Sequence, residues 1–594
     1  MQFSQCKGLV VLAMLTGAGN PVNAIAMPSE FAIATPATPE TPLVGATDGS
    51  EPLQTAQIPN PIVPEPPRPQ PIPTPQPPPE PPLNLPQPTP PTPEPSPTVP
   101  GAIAVQRFEF VGNTAFSSEE LAKVTAAFTN RPITFAELLQ AEAAVTKFYT
   151  DAGYINSGAV IPAGQNLSTG VVTVQIIEGS LENITVTGTG RLNPNYVRSR
   201  LAVAAAKPLN VNRLLQGLQL LQLDPLIGNI SAELTAGSRP ELSVLDVRVK
   251  PAKTLSAQLF TDNGRSPSVG SFRRGVELTQ ANLLGWGDAI RVNYANTDGS
   301  NAIDLSYTVP VNPRNGTVSF AYGRTSSNVI EPPFDRVDIT GNSTRYEVTY
   351  RQPLYQTPTK EFALGITASR QESQTAILGV DQPLSAGADE RGRTRISALR
   401  FFQDWTQRSP RSVFAVRSQF SLGLGAFDAT VNQKAPDSRF FAWRGQAQYV
   451  RLLAPETLLV LRSDLQLSTR ALVPLEQFGL GGFRSVRGYR QDVLLTDNGA
   501  LLSAEAQIPV ARFGSGNLLQ AVPFIDYGIG WNSSNGDKPK HNNLLGAGVG
   551  LQLRLGNNFT GRIEYGVPLI DAGDNQKRTW QENGIYFSIL YNPF

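Results

Sequence analysis

From Lys253 to Phe594 the chain is a succession of sixteen segments in which apolar and polar residues alternate. A period of two sends successive side chains to opposite faces of an extended strand. The last segment, Gly584-Ile585-Tyr586-Phe587-Ser588-Ile589-Leu590-Tyr591-Asn592-Pro593-Phe594, puts Ile585, Phe587, Ile589 and Tyr591 on one face and ends on an aromatic ring. A soluble sandwich alternates too, so the chemistry of the polar face has to decide. Leu459, Leu461, Leu465 and Leu467 alternate with Val460, Arg462, Asp464 and Gln466; Phe559, Ile563 and Tyr565 alternate with Thr560, Arg562 and Glu564. Ile303, Leu305, Tyr307 and Val309 alternate with Asp304, Ser306 and Thr308, and Ile290, Val292 and Tyr294 with Arg291 and Asn293. A face this charged needs water, and a water-filled lumen supplies it while the other face meets lipid. Strands in hydrocarbon leave no backbone group unpaired, so they must close on themselves. The sequence therefore predicts a sixteen-stranded antiparallel transmembrane β-barrel over 253–594.

Connection lengths test the count. Asn312-Pro313-Arg314-Asn315, Ala454-Pro455 and Gly556-Asn557 are short, whereas Ser326–Ser343, Gln371–Gly392, Leu422–Ser438 and Asp571–Asn583 are long. Short and long are expected to alternate throughout, with both chain ends on the short, periplasmic side. The sixth long connection, from about Ser468 to Asn498, is the longest.

Ahead of the barrel, Lys7 and the apolar run Gly8–Leu15, followed by Ala24-Ile25-Ala26, read as a secretory signal peptide over 1–26. Residues 27–102 read as a proline-rich disordered linker, since 36–100 hold 26 of the 52 prolines. An unstructured spacer and a partner-docking tether are both compatible with that composition. The chain has one cysteine, Cys6, and one histidine, His541, and a formal net charge of +1. That stoichiometry excludes a disulfide framework and a Cys/His zinc site, and the balance of charge gives no footprint for nucleic acid. No Walker-type loop or G-x-S-x-G elbow occurs. No enzymatic activity, cofactor or metal is expected.

Between linker and barrel lie two successive β-α-α-β-β patterns, 103–179 and 180–252. The first runs from a strand Val105–Gly112 through two capping boxes, Ser117 with Glu120 and Thr134 with Glu137, to strands at Gly158–Pro162 and Val171–Ile177. The second places helices at Asn195–Ala205 and Asn212–Leu223, with strands at Ile184–Val186, Ile230–Leu234 and Leu242–Val249. Phe108-x-Phe110-x-Gly112-Asn113-Thr114, Tyr149-x4-Tyr154 with Gly153, Val174-x4-Gly179, Leu220-Leu221-x-Leu223 and Glu241–Val249 together resemble POTRA domains of the two-partner-secretion transporters. Such sheets bind an extended chain at an open edge by strand addition.

The sixth long connection carries Val486-Arg487-Gly488-Tyr489, and the thirteenth segment carries Phe524-Ile525-Asp526-Tyr527-Gly528. These resemble the V-R-G-Y/F loop and F-x-D-x-G strand motifs of the outer-membrane assembly and secretion superfamily. The resemblance implies that Arg487 pairs with Asp526 and locks the loop inside the barrel. Gly488 would allow a tight turn, Gly528 would leave room, and Phe524 or Tyr489 could stack on the guanidinium. Phe587, Tyr591 and Phe594 are expected to form the C-terminal barrel signal read by outer-membrane assembly machinery. The order signal, linker, two modules and barrel is that of the hemolysin-activation and filamentous-hemagglutinin transporters. It implies an outer-membrane protein, its modules and linker in the periplasm, that exports an unfolded exoprotein without nucleotide. That family's plug helix has no amphipathic counterpart before the prolines. The alternatives are a barrel-assembly factor and, less favoured, a passive porin.

Overall fold

The computed structural model describes residues 83–84, 103–514, 516–533, 539, 541–573 and 578–593. The predicted signal peptide and nearly all of the predicted linker lie outside them, as does Phe594. The described chain forms two compact units, one ending at Ala252 and one beginning at Lys253.

The second unit is a closed antiparallel barrel of sixteen long strands. They are β1 (Leu255–Asp262), β2 (Arg273–Ala281), β3 (Ala289–Asn296), β4 (Ser300–Pro310), β5 (Thr317–Asn328), β6 (Ile339–Gln356), β7 (Lys360–Ile377) and β8 (Arg393–Ser409). They continue as β9 (Ser412–Leu424), β10 (Phe441–Ala454), β11 (Thr457–Ser468), β12 (Asn498–Phe513), β13 (Asn517–Trp531), β14 (Asn543–Leu555), β15 (Phe559–Pro568) and β16 (Ile585–Tyr591). A two-residue strand, Val380–Asp381, folds back on β7 and adds no stave. Closure is by β1 against β16, over four residue pairs from Leu259↔Tyr591 to Asp262↔Ser588. The Asn263 side chain extends that seam, its amide donating to Ile585 O at 2.8 Å and its oxygen accepting from Phe587 N at 2.9 Å.

The alternation behaves as the two-solvent argument requires. Ile303, Leu461, Ile525 and Ile563 are exposed on the outer wall, whereas their sequence neighbours Val460, Asp526 and Glu564 are at most 2% exposed. Two expectations about the connections need correction. The long–short alternation is not universal: β3 and β4 are joined on the long side by only Thr297-Asp298-Gly299, fewer residues than the short-side connection 282–288. Thr297 N donates to Ser300 O there, which closes a tight turn instead of a loop. Several long connections are also shorter than expected, 329–338 instead of 326–343 for example, because β5, β6 and β7 continue as a paired ladder after their outward faces turn polar.

The other unit contains the two small modules. In the first, Arg107–Val111 pairs in parallel with Val171–Ile177, which pairs antiparallel with Gly158–Val160. The strand expected over Val105–Gly112 breaks at Gln106, whose N–H donates to Gly170 O at 2.7 Å, and the piece before the break pairs with Arg131–Ile133 instead. Helices Ser118–Thr125 and Phe135–Asp151 open on the two predicted capping boxes. Leu121, Val145 and Tyr149 from these helices bury against Phe108, Phe110, Val172 and Val174 of the sheet. The Gly-Asn-Thr turn is fastened by one carboxylate: Glu178 accepts from Thr114 N and Ala115 N, both at 2.7 Å, from the Thr114 hydroxyl, and from Tyr149 Oη at 3.1 Å. Burial alone would raise the Glu178 pKa, yet these four donors to its charged form hold it below the usual carboxylate range.

The second module repeats the plan, with strands Ser180–Thr187, Ile227–Ala236 and Leu242–Pro251 and helices Pro194–Ala204 and Val211–Gln222. The outer edge of Ile227–Ala236 is not bare. Leu83 and Asn84 of the proline-rich region lie along it in parallel, opposite Ala232 and Glu233. The two modules are joined by Val211 N to Gly153 O at 2.9 Å, Leu209 N to Gly179 O at 2.8 Å and Asn156 Nδ2 to Ser243 Oγ at 3.2 Å.

Candidate functional site in the barrel lumen

The connection from β11 to β12, residues 469–497, turns back into the barrel. Its two limbs form a short ribbon, Phe478–Leu480 against Leu494–Thr496. Phe478, Leu480, Val486, Tyr489 and Leu494 bury with Leu501 of β12 and Leu544 of β14, so an apolar foot sits on the lumen wall. This burial supplies the favourable area that offsets ordering so long a connection.

At the tip, Arg487 meets its predicted partner. Its Nε lies 2.7 Å from Asp526 Oδ2 and its Nη2 lies 2.9 Å from Asp526 Oδ1, the paired geometry that suits guanidinium and carboxylate. Its backbone N–H donates to the same carboxylate at 3.1 Å. The expectation of a single ion contact is too simple, however. Arg487 Nη1 also reaches Glu564 of β15 at 2.6 Å and Glu505 of β12 at 3.1 Å, and Arg562 of β15 bridges those two glutamates at 2.5 and 2.6 Å. Asp526, Glu505, Glu564 and Arg487 are each no more than 3% exposed. Arg562 alone cannot balance three buried carboxylates, so the seated loop supplies the second cation that the cluster needs.

The ring that stacks on the guanidinium is Phe524, 3.5 Å from Arg487 Cζ to its centroid. Tyr489 takes a different role: its hydroxyl lies 2.7 Å from Ile570 O and accepts from Leu545 N at 3.1 Å, pinning the tip to β14 and to the chain after β15. Gly488 adopts φ +105°, a conformation that disfavours a side chain, and its N–H donates to Tyr586 Oη at 2.9 Å. Tyr586 in turn donates to Tyr489 O at 2.6 Å. The wall under the tip is a glycine track. A Cβ on Gly528 would meet Val486 at 2.8 Å, one on Gly546 would lie 1.8 Å from Arg487 O, and one on Gly566 would lie 2.7 Å from Gly488 N.

Sequence reasoning named Val486, Arg487, Gly488, Tyr489, Phe524, Asp526 and Gly528, and all seven converge here. It passed over Glu505, Arg562, Glu564, Tyr586, Gly546 and Gly566 as site residues. A signal existed: each occupies a lumen-facing position on β12 or β14, which flank the motif strand, or on β15 or β16 beyond them. Of the predicted C-terminal signal, the Phe587 ring packs 5.6 Å from Trp580 and 5.9 Å from Phe272, and Tyr591 is half-exposed on the lipid side between Leu259 and Phe559.

The model of the haemolysin secretion/activation proteins ShlB/FhaC/HecB matches residues 241–553, and that of the ShlB-type POTRA domain matches 103–179. The outer membrane transporter CdiB of Dickeya dadantii is 24% identical over 464 residues, 76% of this chain and 80% of the relative. The heme/hemopexin transporter protein HuxB of Haemophilus influenzae is 21% identical over 505 residues, 80% of this chain and 85% of the relative. Among solved structures, CdiB from Escherichia coli superposes with a TM-score of 0.66 at 21% identity, covering 85% of this chain and 93% of that one. With the family model spanning more than half of its residues, the chain belongs to the haemolysin secretion/activation family ShlB/FhaC/HecB.

Proposed function

We propose that this outer-membrane protein captures an unfolded exoprotein in the periplasm and passes it outward through its own barrel, and that the 469–497 loop is the gate. The observation that carries the reading is the buried network of Arg487 with Asp526, Glu505 and Glu564, which fastens a long loop across a polar-walled lumen. A passive pore has no need for such a fastening. Family membership favours export over the insertion of other barrels. Capture by strand addition is supported by the second module, whose outer edge already accepts an extended segment, Leu83–Asn84, through backbone pairing. With no nucleotide-binding motif in the sequence, folding of the cargo outside the cell supplies the direction of travel. The aromatic C-terminal strand is read as the signal by which assembly machinery inserts the barrel.

Replacing Arg487 with Ala tests the gate. Removing the shared cation strands the buried Asp526 carboxylate and leaves Glu505 and Glu564 with Arg562 alone, a loss on the order of 3–5 kcal/mol. The loop should leave its seat and export should fail, while the barrel still inserts and remains heat-modifiable on gels. Normal export by Arg487→Ala would remove the loop from the mechanism.

A further inference from the structure

We infer that Arg490 is a second, outer clasp that positions the gate loop independently of Arg487; this rests on the reading of the 469–497 loop as the gate. Three residues beyond Arg487 lies Arg490, whose guanidinium engages two of the outer connections. Its Nη1 and Nη2 grip Glu331, in the β5–β6 connection, at 2.6 and 2.5 Å, and Nη1 also reaches Glu582, in the β15–β16 connection, at 3.1 Å. Glu582 is held for this contact, because its second oxygen accepts from Arg578 N at 2.8 Å and Thr579 N at 2.7 Å. Arg578 itself donates to Pro332 O at 2.9 Å, so the two outer connections are also tied directly to each other. One residue on, Gln491 N donates to Gln581 Oε1 at 3.1 Å, and Gln581 reaches Arg265 O at 2.7 Å in the β1–β2 connection.

The carboxylates that the two clasps grip, as named above, are different. Arg487 holds strand residues of β12, β13 and β15, whereas Arg490 holds outer connections. They also differ in burial: Arg487 is 3% exposed and Arg490 19%. A loop leaving the lumen must break both sets. A loop that has lost only Arg487 is still anchored through Arg490 to two outer connections. Paired charge-assisted contacts of this kind are among the stronger side-chain interactions. The outer clasp therefore sets how often the closed gate opens, and the inner network sets where the tip sits.

The test is single-channel conductance of the full-length protein in planar bilayers. Arg490→Ala should raise the open fraction about tenfold, equivalent to about 1.4 kcal/mol, with Glu331→Gln acting in the same direction. In a Glu582→Gln background, which removes the carboxylate that would otherwise face the new acid, the exchange Arg490→Glu with Glu331→Arg should return it to within about twofold of that background, which a merely structural role of either residue would not produce. An Arg490→Ala protein that opens no more often than the original, or an exchange that fails to restore closure, overturns the inference. A chain with 478–492 replaced by a short Gly-Ser turn separates this from the underlying reading. If that chain conducts no more than the original, the loop is not the gate and both fail; if it conducts strongly while Arg490→Ala does not, only the clasp is refuted.

Discussion

The seat of the loop tip can be tested without touching a charge. A methyl group at Gly546 would lie 1.8 Å from the Arg487 carbonyl oxygen, and no real Cβ tolerates a heavy atom within 3.0 Å, so Gly546→Ala must push that carbonyl back by at least 1.2 Å. The backbone at both ends is rigid: Gly546 is in a strand paired on both sides, and Arg487 is fixed by its neighbours' bonds to Tyr586. A retreat of that size carries the 2.7 Å Nε–Asp526 contact and the 2.9 Å Gly488–Tyr586 bond beyond hydrogen-bond reach. The cost should approach that of breaking a buried pair, about 3 kcal/mol or more, and hence a hundredfold or greater rise in the unseated population. Val486→Cys provides the assay. Val486 is fully buried under the seated tip, and the only natural cysteine, Cys6, lies in the predicted signal segment. The rate of maleimide labelling from outside the cell then reports unseating. Adding Gly546→Ala should accelerate labelling about a hundredfold, whereas Gly561→Ala, where the methyl meets only the edge of Phe559 at 3.1 Å, should not. Equal labelling rates in the two backgrounds would mean that the tip does not rest on the glycine track.

Two further outcomes follow from the fold. Glu178→Gln in the fragment Pro79–Ala252 removes the charge that four donors address, and should lower stability by about 1.5–3 kcal/mol in a melt followed by circular dichroism near neutral pH. Because the folded carboxyl is held below its unfolded pKa, that advantage is present above the unfolded value and is lost as pH falls through the folded one, so the two melts should begin to converge only once the pH drops below about 4.3. In the barrel, Leu461→Arg places a charge on the lipid face one residue from Arg462, which is native on the lumen face; urea unfolding in detergent should show a loss of about 2–4 kcal/mol.

Much of this was legible because the barrel has two solvents. The opposing demands of lipid and water imprint a period of two that survives low similarity, so the strand number and the inward face of Asp526 could be read directly. The capping boxes at Ser117 and Thr134 were legible for a local reason, since each needs only residues three apart. What escaped was set by partners far away in sequence. Gln106 breaks a continuous β pattern because its amide is taken by Gly170, a contact no local periodicity encodes. Glu505 and Glu564 looked like any lumen carboxylate, and only strand register brings them to Arg487. Tyr586 and the glycines of β14 and β15 were not singled out, because their partner is a loop tip far away in sequence. Loop ends were overestimated because strands that stand clear of lipid lose their apolar face while keeping their ladder.

The central claim is that the exported chain travels inside the barrel. Site-specific photocrosslinking during export tests it most directly, with the crosslinker placed at Gln446, which faces the lumen beside Asp464, or at Leu461 on the lipid face. Adducts between the exported chain and position 446, with none at 461, are the predicted result. Adducts from the lipid face alone, while export proceeds and position 446 stays unreacted, would contradict it.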